Sequence, residues 1–355
     1  MKNLPLSAKS LLACSLAILG LSACSPSGSD SGSGEASSKK IQLAYITNGI
    51  DPFWDTAAAG VRDAAKKFDV DCEVMMPSDG STDQKRLMEG ILARGVDGIA
   101  ISPTDAENQV AMINDACRVT NVITHDSDAP LSDRLCFIGM ENYKAGREAG
   151  RLVKEALPDG GEVMLFVGRL EQLNSQQRRQ GIIDELLDRP AQSINNLDQD
   201  PVGEAIAGDK YTILDTRTDN FAYERAKSNA EDAISAYPDL KCMVGLFAYN
   251  APACLEAVKG ADKVGEIQIV SFDEQDNTLQ GIIDGSIHGT VSQQPYYYGY
   301  ESVRILAGLA RDDQSVLPES GFLEVPIITI RKDNVEKFWA DLKDLQGKGK
   351  AAQAE

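Results

Sequence analysis

Polar side chains recur in this sequence where short apolar segments end. They are hydroxyls, amides and carboxylates: Thr47, Asp51, Ser102, Asp126, Asn250, Asp273 and Gln293. An enzyme needs a nucleophile or a base that its neighbours tune, whereas many donors and acceptors together hold a ligand rich in hydroxyl groups. If the apolar segments are parallel strands, these residues meet at one edge of a sheet, where open α/β sheets bind ligands. Each residue taken alone also fits a helix cap or a turn.

Two aromatic rings accompany this set in the loop at residues 48–54. Phe53 and Trp54 follow Asp51 between an apolar segment and a segment of helical periodicity. An aromatic face packs on the apolar C–H surface of a ring while a carboxylate accepts hydrogen bonds from its hydroxyls, and a sugar offers both surfaces. The alternative is structural: Asp51 caps the helix, and both aromatics cover its start as a hydrophobic staple.

The elements that must hold these side chains alternate in type along the chain. From residue 41 to about residue 330, short apolar segments alternate with periodic segments of about a dozen residues, and the pattern restarts near residue 137. Because the chain is long for a single core, this alternation predicts an α/β fold of two doubly wound parallel-sheet domains. Residues 325–330 are predicted as the last strand, and the aperiodic residues 190–210 as an excursion within the second domain.

The N-terminus predicts export and a lipid anchor. Lys2 and Lys9 precede an apolar run at residues 11–21 that is short for a membrane span, so residues 1–23 are predicted to be a signal peptide. The ending Leu-Ser-Ala-Cys resembles a bacterial lipobox, which predicts lipidation of Cys24 and a periplasmic, membrane-anchored protein. An ordinary secretory peptide, cut after Ala23, is the alternative. Residues 24–39 are rich in Ser and Gly and are predicted to be a flexible tether.

Composition limits the partners and cofactors. The formal net charge of -19 argues against a nucleic acid partner. The two histidines, His125 and His288, have no ligand spacing, so no metal site is predicted. The GxGxxG fingerprint is absent after the first apolar segment, and no cofactor is predicted. Apolar surroundings predict mostly buried thiols, with one disulfide possible and no pair selected, for Cys72, Cys117, Cys136, Cys242 and Cys254.

Eight motifs point to a family. In order they are DPFWDTAAAGVRDAA, GIAISPTD, VITHDSD, IGMENYKAGREAG, RRQGIIDEL, FAYNAPACLEAV, VSFDE and DGSIHGTVSQQP. With them, residues 40–331 resemble the periplasmic monosaccharide-binding proteins of the ribose and galactose type, which serve ABC importers. The resemblance implies the type I periplasmic binding protein fold, in which a three-segment hinge joins two lobes. It also implies a monomer without enzymatic activity that closes on a monosaccharide and delivers it to the membrane permease subunits of the importer.

Boundaries and ligand contacts are implied by the same resemblance. The N-terminal lobe comprises residues 40–140 and 294–322, the C-terminal lobe residues 141–293 and 323–340, and a polar tail follows at 341–355. The chain crosses between the lobes near residues 140–141, 293–294 and 322–323. The residues implied to contact the ligand are Asp51, Phe53, Trp54, Asp126, Arg178, Phe221, Asn250, Asp273 and Gln293.

Two positions depart from the ribose type. Asp51 stands where that group has Asn, as in the glucose and galactose group, and Ser127 follows Asp126 where the ribose type has Arg. A serine cannot replace a guanidinium fork that holds sugar hydroxyls. The sequence therefore argues against D-ribose itself and leaves both pentoses and hexoses open.

Three other functions were weighed against this one. An enzyme would need His125, Asp126 and Ser127 to act together, but neighbouring side chains of a strand point apart, and a GxSxG elbow is absent. A DNA-binding repressor would need an N-terminal helix-turn-helix where this chain has a predicted signal peptide. A receptor for a non-sugar small polyol, a nucleoside or a furanosyl signal molecule stays open, because the aromatic faces suit several small rings.

Overall fold

The computed structural model describes residues 39–193 and 197–351, with side chains up to residue 346. The predicted signal peptide, Cys24 and the tether up to residue 38 lie outside these ranges. Within the described ranges, the chain forms two sheets with helices packed against them. No helix there is long and apolar enough to cross a membrane.

Six strands of the described chain form the first sheet. They are β1 (Gln42–Ile46), β2 (Asp71–Met75), β3 (Gly98–Ile101), β4 (Asn121–His125), β5 (Phe137–Gly139) and β12 (Phe322–Glu324). All pairs are parallel, in the order β12-β5-β4-β3-β1-β2. The helices of this lobe are α1 (Pro52–Phe68), α2 (Gly80–Arg94), α3 (Val110–Cys117) and α9 (Pro295–Leu309).

Seven strands of the described chain form the second sheet. They are β6 (Gly161–Val167), β7 (Ile206–Ala207), β8 (Tyr211–Thr218), β9 (Leu240–Gly245), β10 (Gln268–Phe272), β11 (Gly289–Ser292) and β13 (Ile328–Ile330). The order is β13-β11-β10-β9-β6-β8-β7, with antiparallel strands only at the two edges. The helices are α4 (Asn142–Ala156), α5 (Leu173–Leu186), α6 (Tyr223–Ala236), α7 (Asn250–Gly260), α8 (Asp276–Asp284) and α10 (Val335–Ala351).

Each sheet has a hydrophobic core on both faces. Met164 and Phe166 of β6 join the core on the side of α7 and α8, whereas Val163 and Leu165 join the core on the side of α4 and α5. Strands covered on both faces are continuous apolar runs. The α/β fold class, which was predicted from the alternation of strand-like and helical segments, is confirmed.

The third crossing between the sheets differs from the prediction. β12 pairs with β5 of the first sheet and β13 pairs with β11 of the second, so the chain crosses at residues 325–327 and not at 322–323. For the same reason residues 325–330 are not one strand. The Val325 N–H still donates to Gly139 O at 2.7 Å, but Pro326 has no N–H to continue the ladder. Its carbonyl accepts from Gln294 Nε2 at 2.7 Å, which joins two hinge segments.

Two other segments also differ from the sequence interpretation or refine it. Residue 341 onward is not a tail, because α10 continues to Ala351 and its Leu342 is buried in the second lobe's core. The excursion at 190–210 ends in β7, which pairs with β8 as a hairpin. Asp200 holds the excursion to α5 by accepting from Gln180 Nε2 at 2.6 Å. The five cysteines are free thiols, and Cys136, Cys242 and Cys254 are buried.

Close helix contact positions one functional side chain. A Cβ on Gly146 of α4 would lie 2.2 Å from Arg178 O, and a Cβ on Gly181 of α5 would lie 2.2 Å from Tyr143 O. Only glycine therefore lets the two backbones approach this closely. The contact fixes the middle of α5, and with it Arg178, against α4.

Candidate functional site: a cleft between two sheets

A cavity of about 490 Å³ lies between the carboxyl ends of the two sheets. The loops after β1, β2 and β4 line it from the first lobe, and the loops after β6, β8, β9 and β10 line it from the second. The predicted residues that border it are Asp51, Phe53, Trp54, Asp126, Phe221, Asp273 and Gln293. The other predicted residues, Thr47, Ser102, Arg178 and Asn250, are fully buried behind its wall.

The capping role of Asp51 is confirmed, and its contact with a ligand stays a prediction. Its Oδ1 accepts from Phe53 N at 2.8 Å as the N-cap of α1, and the same carboxylate borders the cavity. Gln275 of the second lobe also hydrogen-bonds to it, and burial raises the pKa of Asp51. A helix cap and a contact across the cleft are therefore compatible in one side chain.

The two aromatics of this loop differ in role. Trp54 is only 3% exposed, packs edge-on against Tyr45 and His125, and donates from Nε1 to Asn48 Oδ1 at 3.2 Å. Trp54 is therefore chiefly a core residue, which favours the hydrophobic-staple alternative for this ring. Phe53 is partly exposed and is the more accessible face of the pair.

His125 belongs to the core behind this loop. Its ring stacks on Tyr45, its Nδ1 lies 3.0 Å from the Tyr45 hydroxyl, and its Nε2 lies 3.2 Å from Ile46 O. Burial lowers the pKa of His125 to about 3. The histidine is thus neutral and held by structural contacts, and it makes no hydrogen bond to Asp126 or Ser127 that the triad interpretation would need.

Asp126 is held by its own lobe and faces the other lobe. Ser102 Oγ and Asn48 Nδ2 donate to its Oδ2 at 2.9 and 3.2 Å, and Arg178 Nη2 of the second lobe lies 3.9 Å from its Oδ1. Burial raises the pKa of Asp126, and Arg178 partly offsets this. Ser102 therefore positions Asp126. The Thr47 hydroxyl stabilises the loop after β1, because it donates to Gly49 O at 2.7 Å.

Arg178 is fully buried and only partly satisfied. Its Nε donates to Asn142 Oδ1 and its Nη1 to Leu246 O, both at 2.9 Å. The guanidinium lies 5.3 Å from the ring centre of Phe247, at cation–π distance. Its Nη2 has no hydrogen-bond partner in the described chain. A buried charged donor without a partner costs about 1–3 kcal/mol or more, so this atom favours binding of a ligand oxygen.

A chain of hydrogen bonds holds Asp273 at the hinge side. Gln293 Nε2 donates to Asp273 Oδ1 at 2.8 Å, and the Tyr298 hydroxyl donates to Gln293 Oε1 at 3.1 Å. Burial raises the pKa of Asp273 to about 7, while Arg178 acts to lower it. Burial, with the Asp273 carboxylate, holds the pKa of the adjacent Glu274 well above its usual range.

Asn250 supports the site without lining it. Its Nδ2 donates to Asp219 Oδ2 at 2.8 Å, and its Oδ1 accepts from Phe247 N at 3.0 Å. These bonds fix the loop that carries Phe247 and Tyr249 into the cavity wall. Asn250 is therefore a loop anchor in this structure, and its contact with a ligand stays a prediction.

Four non-glycine residues of the cavity wall have left-handed backbone conformations. The φ angles are 60° at Asp126, 57° at Asn220, 63° at Phe221 and 67° at Asp273. This region is unusual for a bulky residue such as phenylalanine, and strain of this kind clusters at functional sites. The Phe221 ring is held by Phe247, at 5.6 Å between ring centres, and by the Arg169 guanidinium, also 5.6 Å away.

Sequence reasoning missed part of the wall. The unpredicted side chains that line the cavity include Asn48, Arg169, Phe247, Tyr249 and Gln275. All five follow strands in the chain. They could therefore have been predicted by the same reasoning that selected the polar residues at the ends of apolar segments. Phe247 and Tyr249 even lie in the FAYNAPACLEAV motif, together with Asn250. Arg169 was missed because no residue was assigned to the end of β6.

Comparison with known proteins gives the same fold. A family model described as periplasmic binding protein domain matches residues 41–314. The D-ribose/D-allose-binding protein of Pseudomonas aeruginosa is 23% identical over 77% of this chain and 82% of its own length. The ribose import binding protein of Bacillus subtilis is 24% identical over 80% and 84%.

Solved structures agree. A solute-binding protein of an ABC transporter from Burkholderia graminis, in complex with D-arabinose, superimposes with a TM-score of 0.74 at 26% identity, covering 83% of this chain and 96% of that chain. The match of the family model extends over more than half of the sequence and includes β1 through α9. The chain therefore belongs to the periplasmic binding protein family, with the type I fold.

Proposed function

We propose that this protein is an extracytoplasmic solute-binding protein that captures a monosaccharide between its lobes and delivers it to an ABC importer. The observation that carries this proposal is the pair Arg178 and Asp126. Their facing atoms, Nη2 and Oδ1, come from opposite lobes and lie 3.9 Å apart, too far for a direct hydrogen bond. A hydroxyl accepts and donates at once, so a sugar hydroxyl satisfies both groups.

The rest of the wall suits a sugar ring. Asp51, Asp273 and Gln293 offer acceptors and donors from the first lobe, the second lobe and the hinge. Phe53 and Phe221 offer aromatic faces from opposite lobes. This combination supports binding of a ring that has polar edges and apolar C–H faces. The relatives named for ribose, allose and arabinose binding support the same ligand class.

The division of the polar groups between the two lobes supports closure of the lobes on the ligand. Each lobe holds half of the polar groups, so a ligand completes its contacts only when the lobes meet. It then binds the closed state more tightly and shifts the population by that difference. Periplasmic binding proteins are known examples of such hinge closure. An importer can thereby sense occupancy as a change of shape.

Binding is tested by a thermal-shift screen of monosaccharides and polyols. A ligand at 100 times its Kd stabilises the folded state by about 2.7 kcal/mol, which a melting curve resolves. We expect a pentose or hexose to raise the melting temperature. Stabilisation by an inositol or a nucleoside, and by none of the sugars, would favour the non-sugar receptor.

The lipid anchor at Cys24 is a separate part of the proposal, supported by the lipobox-like Leu-Ser-Ala-Cys ending. We expect Cys24→Ala to move the protein from the membrane fraction to the soluble extracytoplasmic fraction, because the attachment site is lost. Cell fractionation with immunoblotting measures this, with Ser25→Ala as the matched control. Unchanged membrane association of Cys24→Ala would refute the anchor.

A further inference from the structure

A second cavity, which we call the outer compartment, lies beside the cavity between the lobes. Its volume is about 570 Å³, and its walls are α1, the turn from β10 into α8, and Gln346 of α10. Phe53, Asp273 and Gln275 line both cavities. The two spaces therefore share a wall, and a ligand that passes Phe53 reaches from one into the other.

The lining of the outer compartment resembles that of a sugar site. Thr56, Asn277 and Gln346 supply hydroxyl and amide groups, and Phe53 and Ala59 supply apolar surface. Nine of its thirteen lining residues are polar or charged, so the wall offers many hydrogen-bonding groups to a ligand rich in hydroxyls.

Arg62 adds an unused donor to this lining. Its Nε is buried and has no hydrogen-bond partner in the described chain, and the residue borders the outer compartment. A buried donor without a partner is costly. The side chain is therefore suited to binding a ligand oxygen there.

Charge limits the ligand group that fits. Asp55 and Asp276 face the space, together with Asp273 and Glu274, whose pKa values are raised by burial. Arg62 is the one cation among the described residues that line it. Acidic groups outnumber the cation, so a phosphate or a uronic acid is repelled. A neutral ring with hydroxyl groups is favoured.

Size and position support an extended ligand. The outer compartment is slightly larger than the cavity between the lobes, so it has room for a second ring. Part of its wall comes from α10, which begins at Val335, beyond the residues 41–314 that the family model matches. Two contacts hold this helix in place: Trp339 Nε1 donates to Asp276 Oδ1 at 2.9 Å, and Gln346 Nε2 donates to Thr56 Oγ1 at 3.0 Å.

We propose that the cleft also takes a neutral disaccharide or related glycoside, one monosaccharide unit of which is the ring captured between the lobes. Its first ring occupies the cavity between the lobes, and its second ring occupies the outer compartment beyond Phe53. The proposal rests on the proposed sugar-binding function and specifies the substrate class of the same cleft. It makes Arg62 and Gln346 specificity residues for the second ring.

The experiment compares matched sugars by calorimetry on the purified protein. The pairs are D-xylose with xylobiose, D-galactose with galactobiose, and D-glucose with cellobiose. We expect at least one disaccharide to bind tenfold or more tightly than its monosaccharide. If monosaccharides bind and every disaccharide falls short of that advantage, the extended ligand is wrong and the proposed function stands. If none of the six sugars binds, the sugar-binding function itself is contradicted.

Two tryptophan substitutions locate the second ring. Asp55 is exposed on α1 and lines only the outer compartment, so Asp55→Trp fills that space. We expect it to lower the disaccharide affinity tenfold or more and to change the monosaccharide affinity less than twofold. Lys66→Trp, on the same helix and outside both cavities, is the control and leaves both affinities unchanged. An unchanged disaccharide affinity in Asp55→Trp would overturn the proposal, with melting curves verifying that each variant is folded.

Discussion

At the scale of single residues, Asp273 shows how the site is linked to stability. Its carboxyl group is 2% exposed, and burial raises its pKa from 3.8 to about 7. The folded state therefore binds the proton more tightly than the unfolded state. The stabilising contribution is full below about pH 4 and is lost as the pH rises through 7. Asp273 offers a hydrogen-bond acceptor inside the cleft, and the burial that this position requires is what raises its pKa.

The prediction is that Asp273→Asn makes the stability of the empty protein less dependent on pH. The parent should lose stability between pH 5 and 8 because the buried carboxyl group must ionise, whereas an amide carries no charge. Melting temperatures at pH 5, 6, 7 and 8 measure this, with the exposed Asp284→Asn as control. Equal slopes for parent and Asp273→Asn would show that another group dominates the pH dependence.

The aromatic pair makes a second residue-scale prediction, because the two rings differ in burial. Phe53→Ala should weaken sugar binding by about 1–3 kcal/mol and change the free energy of unfolding less than Trp54→Ala does. Trp54→Ala removes a core ring and should lower the free energy of unfolding by about 3–5 kcal/mol. Calorimetry and chemical denaturation measure the two quantities. If both variants bind sugar as the parent does, the staple interpretation is correct for both rings.

At the scale of elements, α10 contacts both lobes. Phe338 and Trp339 pack on the core of the second lobe, and Gln346 hydrogen-bonds to Thr56 on α1 of the first. Thr56 lies one turn from the cap of α1, so the contact lies close to the ligand loop. Helix α10 therefore links the lobes at a point separate from the three hinge segments.

We expect Gln346→Ala to weaken binding of a monosaccharide by about 0.5–1.5 kcal/mol, the net value of one hydrogen bond. The reason is that the lost bond joins the lobes in the closed arrangement. Calorimetry measures the change. Glu336→Ala, exposed on the same helix, is the control, and equal affinities of the two variants would mean that α10 does not favour closure.

Elements also show how far the sequence was informative. Continuous apolar strands and amphipathic helices are local patterns, so the two sheets and the strand-end location of the site were predictable. The third crossing was not, because the partners of β12 and β13 are distant strands. The local roles of Asn250 and Ser102 were not predictable either, because their partners, Asp219 and Asp126, lie more than twenty residues away along the chain.

At the scale of the whole molecule, the two lobes each contribute a charge, an acceptor and an aromatic face. Asp126 and Arg178 face each other across the cleft at 3.9 Å. Asp51 and Gln275 meet across it as well. These contacts join the lobes together with the Gln346–Thr56 hydrogen bond and the hinge segments. In the proposed function, a bound sugar adds contacts to both sides and thereby stabilises a closed arrangement over an open one.

Small-angle X-ray scattering with a ligand verified by calorimetry tests this central claim most directly. The radius of gyration of the empty protein is compared with that of the protein at saturating ligand. The account predicts a smaller radius of gyration with ligand, because the population shifts to the closed arrangement. An unchanged radius of gyration at verified saturation would contradict closure and leave only a static binding site.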